Sequence, residues 1–107
     1  MSEPRTDGIY YFPFENMFFC YQFHETGVIT FAAIELTPEK IRQASRHPTR
    51  GSCVHQGGNR YKLGFSRDTD IYAKVMEDGS LDVVITTEYG EGLNERRIYK
   101  FMPLDES

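Results

Sequence analysis

Residues 71–85 read IYAKVMEDGSLDVVI, two alternating runs on either side of Glu77-Asp78-Gly79. Alternation of apolar and polar residues about a glycine-containing break is the pattern of an antiparallel hairpin. Two loop lengths compete. A tight Asp78-Gly79 turn sets Lys74 opposite Val83 and Val75 opposite Asp82, which mixes charged and apolar groups on both faces. A longer loop, a type I turn followed by glycine at positive φ, sets Val75 opposite Leu81 and Lys74 opposite Asp82. That register gathers Ile71, Ala73, Val75, Leu81, Val83 and Ile85 on one face and places an ion pair across the other. The longer loop, between strands Ile71–Met76 and Ser80–Glu88, is therefore expected.

The same reading extends in both directions. Glu25-Thr26-Gly27 between Met17–His24 and Val28–Ile34 resembles the first loop, so His24 is expected to face Val28, and Phe23 to face Ile29. One face then holds Phe19, Tyr21, Phe23, Ile29, Phe31 and Ala33. Gly57-Gly58-Asn59 predicts a hairpin between Cys53–Gln56 and Tyr61–Ser66, with Val54 opposite Leu63 and Gln56 opposite Tyr61 on a face shared with Phe65. Gly8–Phe12 opens the series. Arg96–Met102 closes it, with Tyr99 and Phe101 on one face and Ile98 and Lys100 on the other, ending at Pro103. Gly90-Glu91-Gly92 reads as a flexible connection before that strand. One helix interrupts the strands: Thr37 is a good N-cap, Pro38 a good first residue and Glu39 a favourable charge at the positive end. Ile41 and Ala44 form its inward stripe, and His47-Pro48 stops it. So short a helix must pack on the sheet, and an open end of the fold is the expected place. The sequence therefore predicts a mainly β chain: an antiparallel meander of about eight strands, one short helix after strand 3, and closure into a small barrel or a strongly curved sheet.

Composition limits the function. The 107 residues, 39% hydrophobic and 26% charged, suit one globular domain over 1–107. A net charge of −4 without a basic cluster beyond Arg96-Arg97 argues against nucleic-acid binding. No apolar run is long enough to span a bilayer, and Met1-Ser2-Glu3-Pro4-Arg5 lacks the layout of a secretory signal, so a cytoplasmic protein without a membrane partner is expected. Cys20 and Cys53 then read as free thiols. Cys20 with His24, and Cys53 with His55, share strand faces, but their spacing matches no zinc motif. No nucleophile elbow or phosphate loop surrounds any Cys or His. The expectation is no metal, no cofactor, no catalytic residue and no enzyme.

The layout resembles the small bacterial lipocalin-like proteins of the calycin group. Asp7-Gly8-Ile9-Tyr10 is similar to their opening strand, with glycine two places before an inward ring. Residues 21–29 resemble their second hairpin, and Glu77–Asp82 and Arg97–Phe101 their closing strands. The resemblance implies an up-and-down barrel, a late arginine (Arg96 or Arg97) packed on an early ring, and a small apolar ligand in the interior. Tyr10 stands where those proteins carry tryptophan. The candidate ligand-binding residues are Tyr21, Phe31, Tyr61, Phe65, Tyr99 and Phe101, the phenols orienting a polar head group. The alternative is a non-enzymatic structural or interaction module with a ring-packed interior. It would form a homodimer through outer residues Phe18, Ile34, Tyr72 and Met76.

Overall fold

The computed structural model describes residues 3–87 and 94–104. Its strands are β1 (Gly8–Phe14), β2 (Met17–His24), β3 (Gly27–Ala33), β4 (Thr49–His55), β5 (Arg60–Ser66), β6 (Thr69–Val75), β7 (Leu81–Thr87) and β8 (Asn94–Pro103), with helix α1 (Pro38–Ala44) between β3 and β4. Each strand pairs antiparallel with its chain neighbour, and β8 returns to β1, closing an eight-stranded barrel. Closure sets Tyr10 opposite Phe101 and Gly8 opposite Pro103. The Gly90-Glu91-Gly92 connection and Glu88 lie outside the described residues.

The hairpin between β6 and β7 has the expected register, with Lys74 opposite Asp82 and Val75 opposite Leu81. Gly79 takes φ 89°, and the Met76 N–H donates to the Ser80 carbonyl at 2.9 Å. The Asp78 carboxylate fastens the loop by accepting from the Ser80 hydroxyl and N–H. β8 also faces as expected: Tyr99 is buried, and Ile98 is exposed. β1 runs through Pro13 to Phe14, because its pairing with β8 stops at Tyr11 and the missing proline N–H leaves no gap in that ladder.

Two registers differ from expectation by one residue. In the β2–β3 hairpin His24 pairs with Gly27 and Phe23 with Val28. Gly27, at φ 157°, is almost extended and serves as the first residue of β3. Val28 consequently turns inward, whereas Ile29, Phe31 and Ala33 turn outward. Phe31, expected in the interior, lies outside the barrel. The run Val28–Ala33 is apolar on both faces, so alternation alone does not determine which face is inner. In the β4–β5 hairpin Cys53 pairs with Leu63 and His55 with Tyr61. Gly57 and Gly58 both adopt positive φ, 102° and 58°, which closes the loop tightly enough for the Gln56 N–H to reach the Arg60 carbonyl. Asn59 is tied to β6, its backbone and side chain bonding Val75 at 2.9 and 2.8 Å. Cys53 thereby turns inward and Val54 outward.

The helix starts where expected: Thr37 caps it by accepting from the Lys40 N–H at 3.2 Å. Its position differs. Rather than crossing an open end, α1 lies on the outer wall, with Ile41 packed on Ile9, Cys20, Ile29, Phe31 and Ala33. The outward apolar residues of β3 form the dock, and a helix of two turns is held by that burial.

Ile41 is 1% exposed and Ile34 is 65% exposed. Ile41→Ala is expected to cost about 2–4 kcal/mol, whereas Ile34→Ala should stay within about 0.5 kcal/mol of wild type. Urea unfolding followed by circular dichroism measures both.

Candidate functional site

Inside the barrel, rings touch from one end to the other. Tyr10 meets Phe23 edge-on at 5.6 Å and Phe101 at 5.1 Å, Tyr21 meets Tyr99 at 4.9 Å and Phe65 at 6.0 Å, and Phe12 meets Tyr99 at 5.5 Å. Leu63, Leu81, Val83 and Val28 fill the spaces between them. Five of the expected ligand residues (Tyr21, Tyr61, Phe65, Tyr99 and Phe101) do face this interior. Phe31 does not, for the register reason given above.

At the end that carries Phe14, Met17 and Thr49, the interior is capped by a charge. Arg97 points inward with its side chain 17% exposed, and its guanidinium makes a paired contact with the Glu95 carboxylate at 3.0 and 3.1 Å. It lies 5.1, 5.4 and 5.8 Å from the ring centres of Phe19, Phe12 and Phe14. Burial works against the cation, but bonding to Tyr99 and Glu95 outweighs it and Arg97 stays charged. Of the two arginines, Arg97 is the one packed on early rings. Arg96 points out and pairs with Asp82 at 2.7 Å.

The opposite end, where β1 begins, holds an open cleft of about 340 Å³. Phe23, Cys53 and Tyr61 form its floor, His24 and His55 its rim, and Glu3, Pro4 and Thr6 its roof. The cleft exists because the β3–β4 seam is short. Only Val28–Thr30 of β3 pair with Thr49–Gly51, so Ser52–His55 run past β3 without a partner on that side. His55 is fixed by its Nε2–H donating to the Gly58 carbonyl at 2.8 Å, and its ring lies 4.8 Å from that of Tyr61. Burial pushes the Cys53 thiol up, which favours the neutral thiol. Cys20, beneath the helix, is pushed up to about 12 by burial. Both cysteines are free. Among the described residues, no three His, Cys, Asp or Glu side chains converge as a metal site, and no helix is long and apolar enough to cross a membrane.

Of the cleft residues, only Tyr61 was among the expected ligand residues, although Phe23 was expected on the inner face and Cys53 and His55 on one face of their strand. Cys53 was hidden by the one-residue shift in the β4–β5 hairpin, and the roof residues belong to no periodic segment. The residues expected at a dimer interface are not brought together. Phe18 is half-buried beside Tyr11 in the helix-covered wall, and Ile34 follows on that side. Tyr72 and Met76 lie on and beyond β6, across the barrel.

Four interior phenols are shifted. Burial pushes Tyr10, Tyr21 and Tyr99 up, the Arg97 bond partly opposing it at Tyr99, and burial also raises Tyr61. An acid whose folded pKa is raised lends stability that is complete below its unfolded pKa and fades above it. Unfolding midpoints in urea should therefore hold steady to about pH 10 and fall beyond it. Phenolate absorbance should show the buried tyrosines ionising only as the chain unfolds.

No model of a known protein family matches this chain, and no curated protein and no solved structure matches it either.

Proposed function

We propose that the chain is a calycin-type binding protein, not an enzyme, that takes one compact apolar or aromatic molecule at the open mouth of its barrel. The cleft beside Phe23, Cys53 and Tyr61 carries this reading. At about 340 Å³ it falls at the small end of the range for ligand sites. Its floor of two rings and a neutral thiol offers apolar contact, and the imidazoles of His24 and His55 offer polar contacts at the rim. The deeper interior is already occupied by ring-on-ring contacts, so the ligand sits at the mouth and not along the barrel axis. An eight-stranded barrel is just wide enough either to be filled by its own side chains or to hold one small ligand. Here it does the first over most of its length and the second at one end. The eight-stranded meander, inward Tyr10 after Gly8, and Arg97 against early rings support the lipocalin-like kinship.

Screening fatty acids, aromatic acids, sterols and neutral bicyclic aromatics by thermal shift tests the proposal. A bicyclic aromatic is expected to raise Tm in a saturable way. Tyr61→Ala should weaken binding about tenfold through loss of a stacking wall, and Tyr72→Ala on the outer wall should leave it unchanged. If no class stabilises the protein, the reading falls.

A second reading, an interaction module that forms a homodimer, rests on the outer face of β6. There Tyr72 is 40% exposed and sits directly across from Val84, with Val54 on β4 and Ile98 on β8, 55% and 44% exposed, two strands away on either side. Sedimentation velocity should then show a dimer for the wild type and a monomer for Tyr72→Glu. A monomeric wild type would remove this reading.

A further inference from the structure

We infer that residues 3–6 form a gate over the barrel mouth, anchored at Asp7-Gly8 and latched by Arg5, which narrows the entrance to the cleft and slows ligand entry until it swings aside. The inference rests on the proposed binding at that mouth and adds its regulation.

The segment crosses the opening. In a closed ring of eight strands, β5 stands opposite β1. The chain enters β1 at Gly8, yet Glu3, Pro4 and Thr6 line the same cleft as Tyr61 of β5. Burial and the nearby Glu3 carboxylate both oppose ionisation of that phenol. Strands spaced about 4.8 Å apart and tilted about 40° enclose a ring roughly 16 Å across. Five extended residues reach about 17 Å, so a segment from Gly8 back to Glu3 is just long enough to span the mouth.

The anchor is firm, and the span before it lies outside the sheet. A side chain on Gly8 would collide with the Met102 carbonyl and the Phe101 ring, so β8 grips the chain tightly there. The Asp7 carbonyl accepts from the Leu104 N–H at 3.0 Å. Residues 3–7 lie outside every strand. What holds the span is centred on Arg5. Its N–H donates to the Tyr10 hydroxyl at 2.8 Å, and its guanidinium lies 4.2 Å from the centre of the Phe101 ring. Asp7 grips the guanidinium through both oxygens at 2.6 and 3.0 Å. The Arg5–Asp7 pair and its stacking on Phe101 are solvent-exposed, the setting in which ion pairs are weak and screened by salt. A latch of this kind opens readily while keeping the closed arrangement dominant.

Stopped-flow fluorescence with N-phenyl-1-naphthylamine, a neutral bicyclic probe, tests the gate on the full chain. Arg5→Ala removes the guanidinium contacts of the latch at an exposed position and leaves the backbone bond to Tyr10, and circular dichroism verifies its fold. If the wild-type gate is open about a tenth of the time, Arg5→Ala should associate about tenfold faster and show an apparent Kd lower by a similar factor. Asp7→Asn, which loosens the guanidinium, should shift both in the same direction by a smaller amount. Equal association rates for wild type and both variants would overturn the gate while leaving binding at the mouth intact. Failure of the probe to bind any of the three proteins would overturn both.

Discussion

Pairing of β8 with β1 is the constraint on which the rest of this structure depends. Once the ring closes at eight strands, its bore is set by strand spacing and tilt, and the side chains on the inner face must fill it without help from another layer. That explains why aromatic residues, 14% of the chain, concentrate on inward positions of β1, β2, β5 and β8. Rings are the side chains that reach a barrel axis from opposite walls. Closure also turns each strand into a two-faced element, and the outer face needs its own solution. On the wall around β3 that solution is α1. On the wall opposite, cross-strand pairs such as Arg96 with Asp82 and Lys62 with Asp70 keep much of the surface polar.

The interior has a polar and a less polar end. Arg97 brings a half-buried guanidinium to one end, and the ring faces of Phe12, Phe14 and Phe19 and the carboxylate of Glu95 compensate its partial desolvation. Tyr99 and Tyr21 follow it inward, their phenols held neutral by burial. The other end lacks such a cap among the described residues and is covered instead by a length of chain without secondary structure.

How much of this was legible in the sequence depended on whether each segment carried a charge with a required partner. The β6–β7 hairpin was readable because only one loop length put Lys74 and Asp82 on a common face; the register holds, although Asp82 takes Arg96 and not Lys74 as its ion-pair partner. The β2–β3 hairpin offered no such test. Val28-Ile29-Thr30-Phe31 is apolar on both sides, and the covering helix that makes an apolar outer face acceptable lies several residues downstream. The register slip displaced Phe31 from the expected site, and a parallel slip at Gly57-Gly58-Asn59 concealed Cys53. Eight strands and the start of α1 followed from turn chemistry and capping, whereas closure was one of two outcomes that the strand count allowed. The mouth cleft did not, because it arises where β3 and β4 fail to pair, and lack of pairing leaves no mark on side-chain pattern.

That short β3–β4 seam has a consequence for how the barrel comes apart. With only Val28–Thr30 and Thr49–Gly51 stitched together there, the ring resembles a long curved ribbon rolled until its ends barely overlap. A fluctuation that opens the seam leaves seven other strand junctions untouched and bares the Val28–Thr30 and Thr49–Gly51 backbone, lengthening the edge that Ser52–His55 already present. The fold thus concentrates its vulnerability to strand exchange with a neighbouring molecule in one place, next to the cleft.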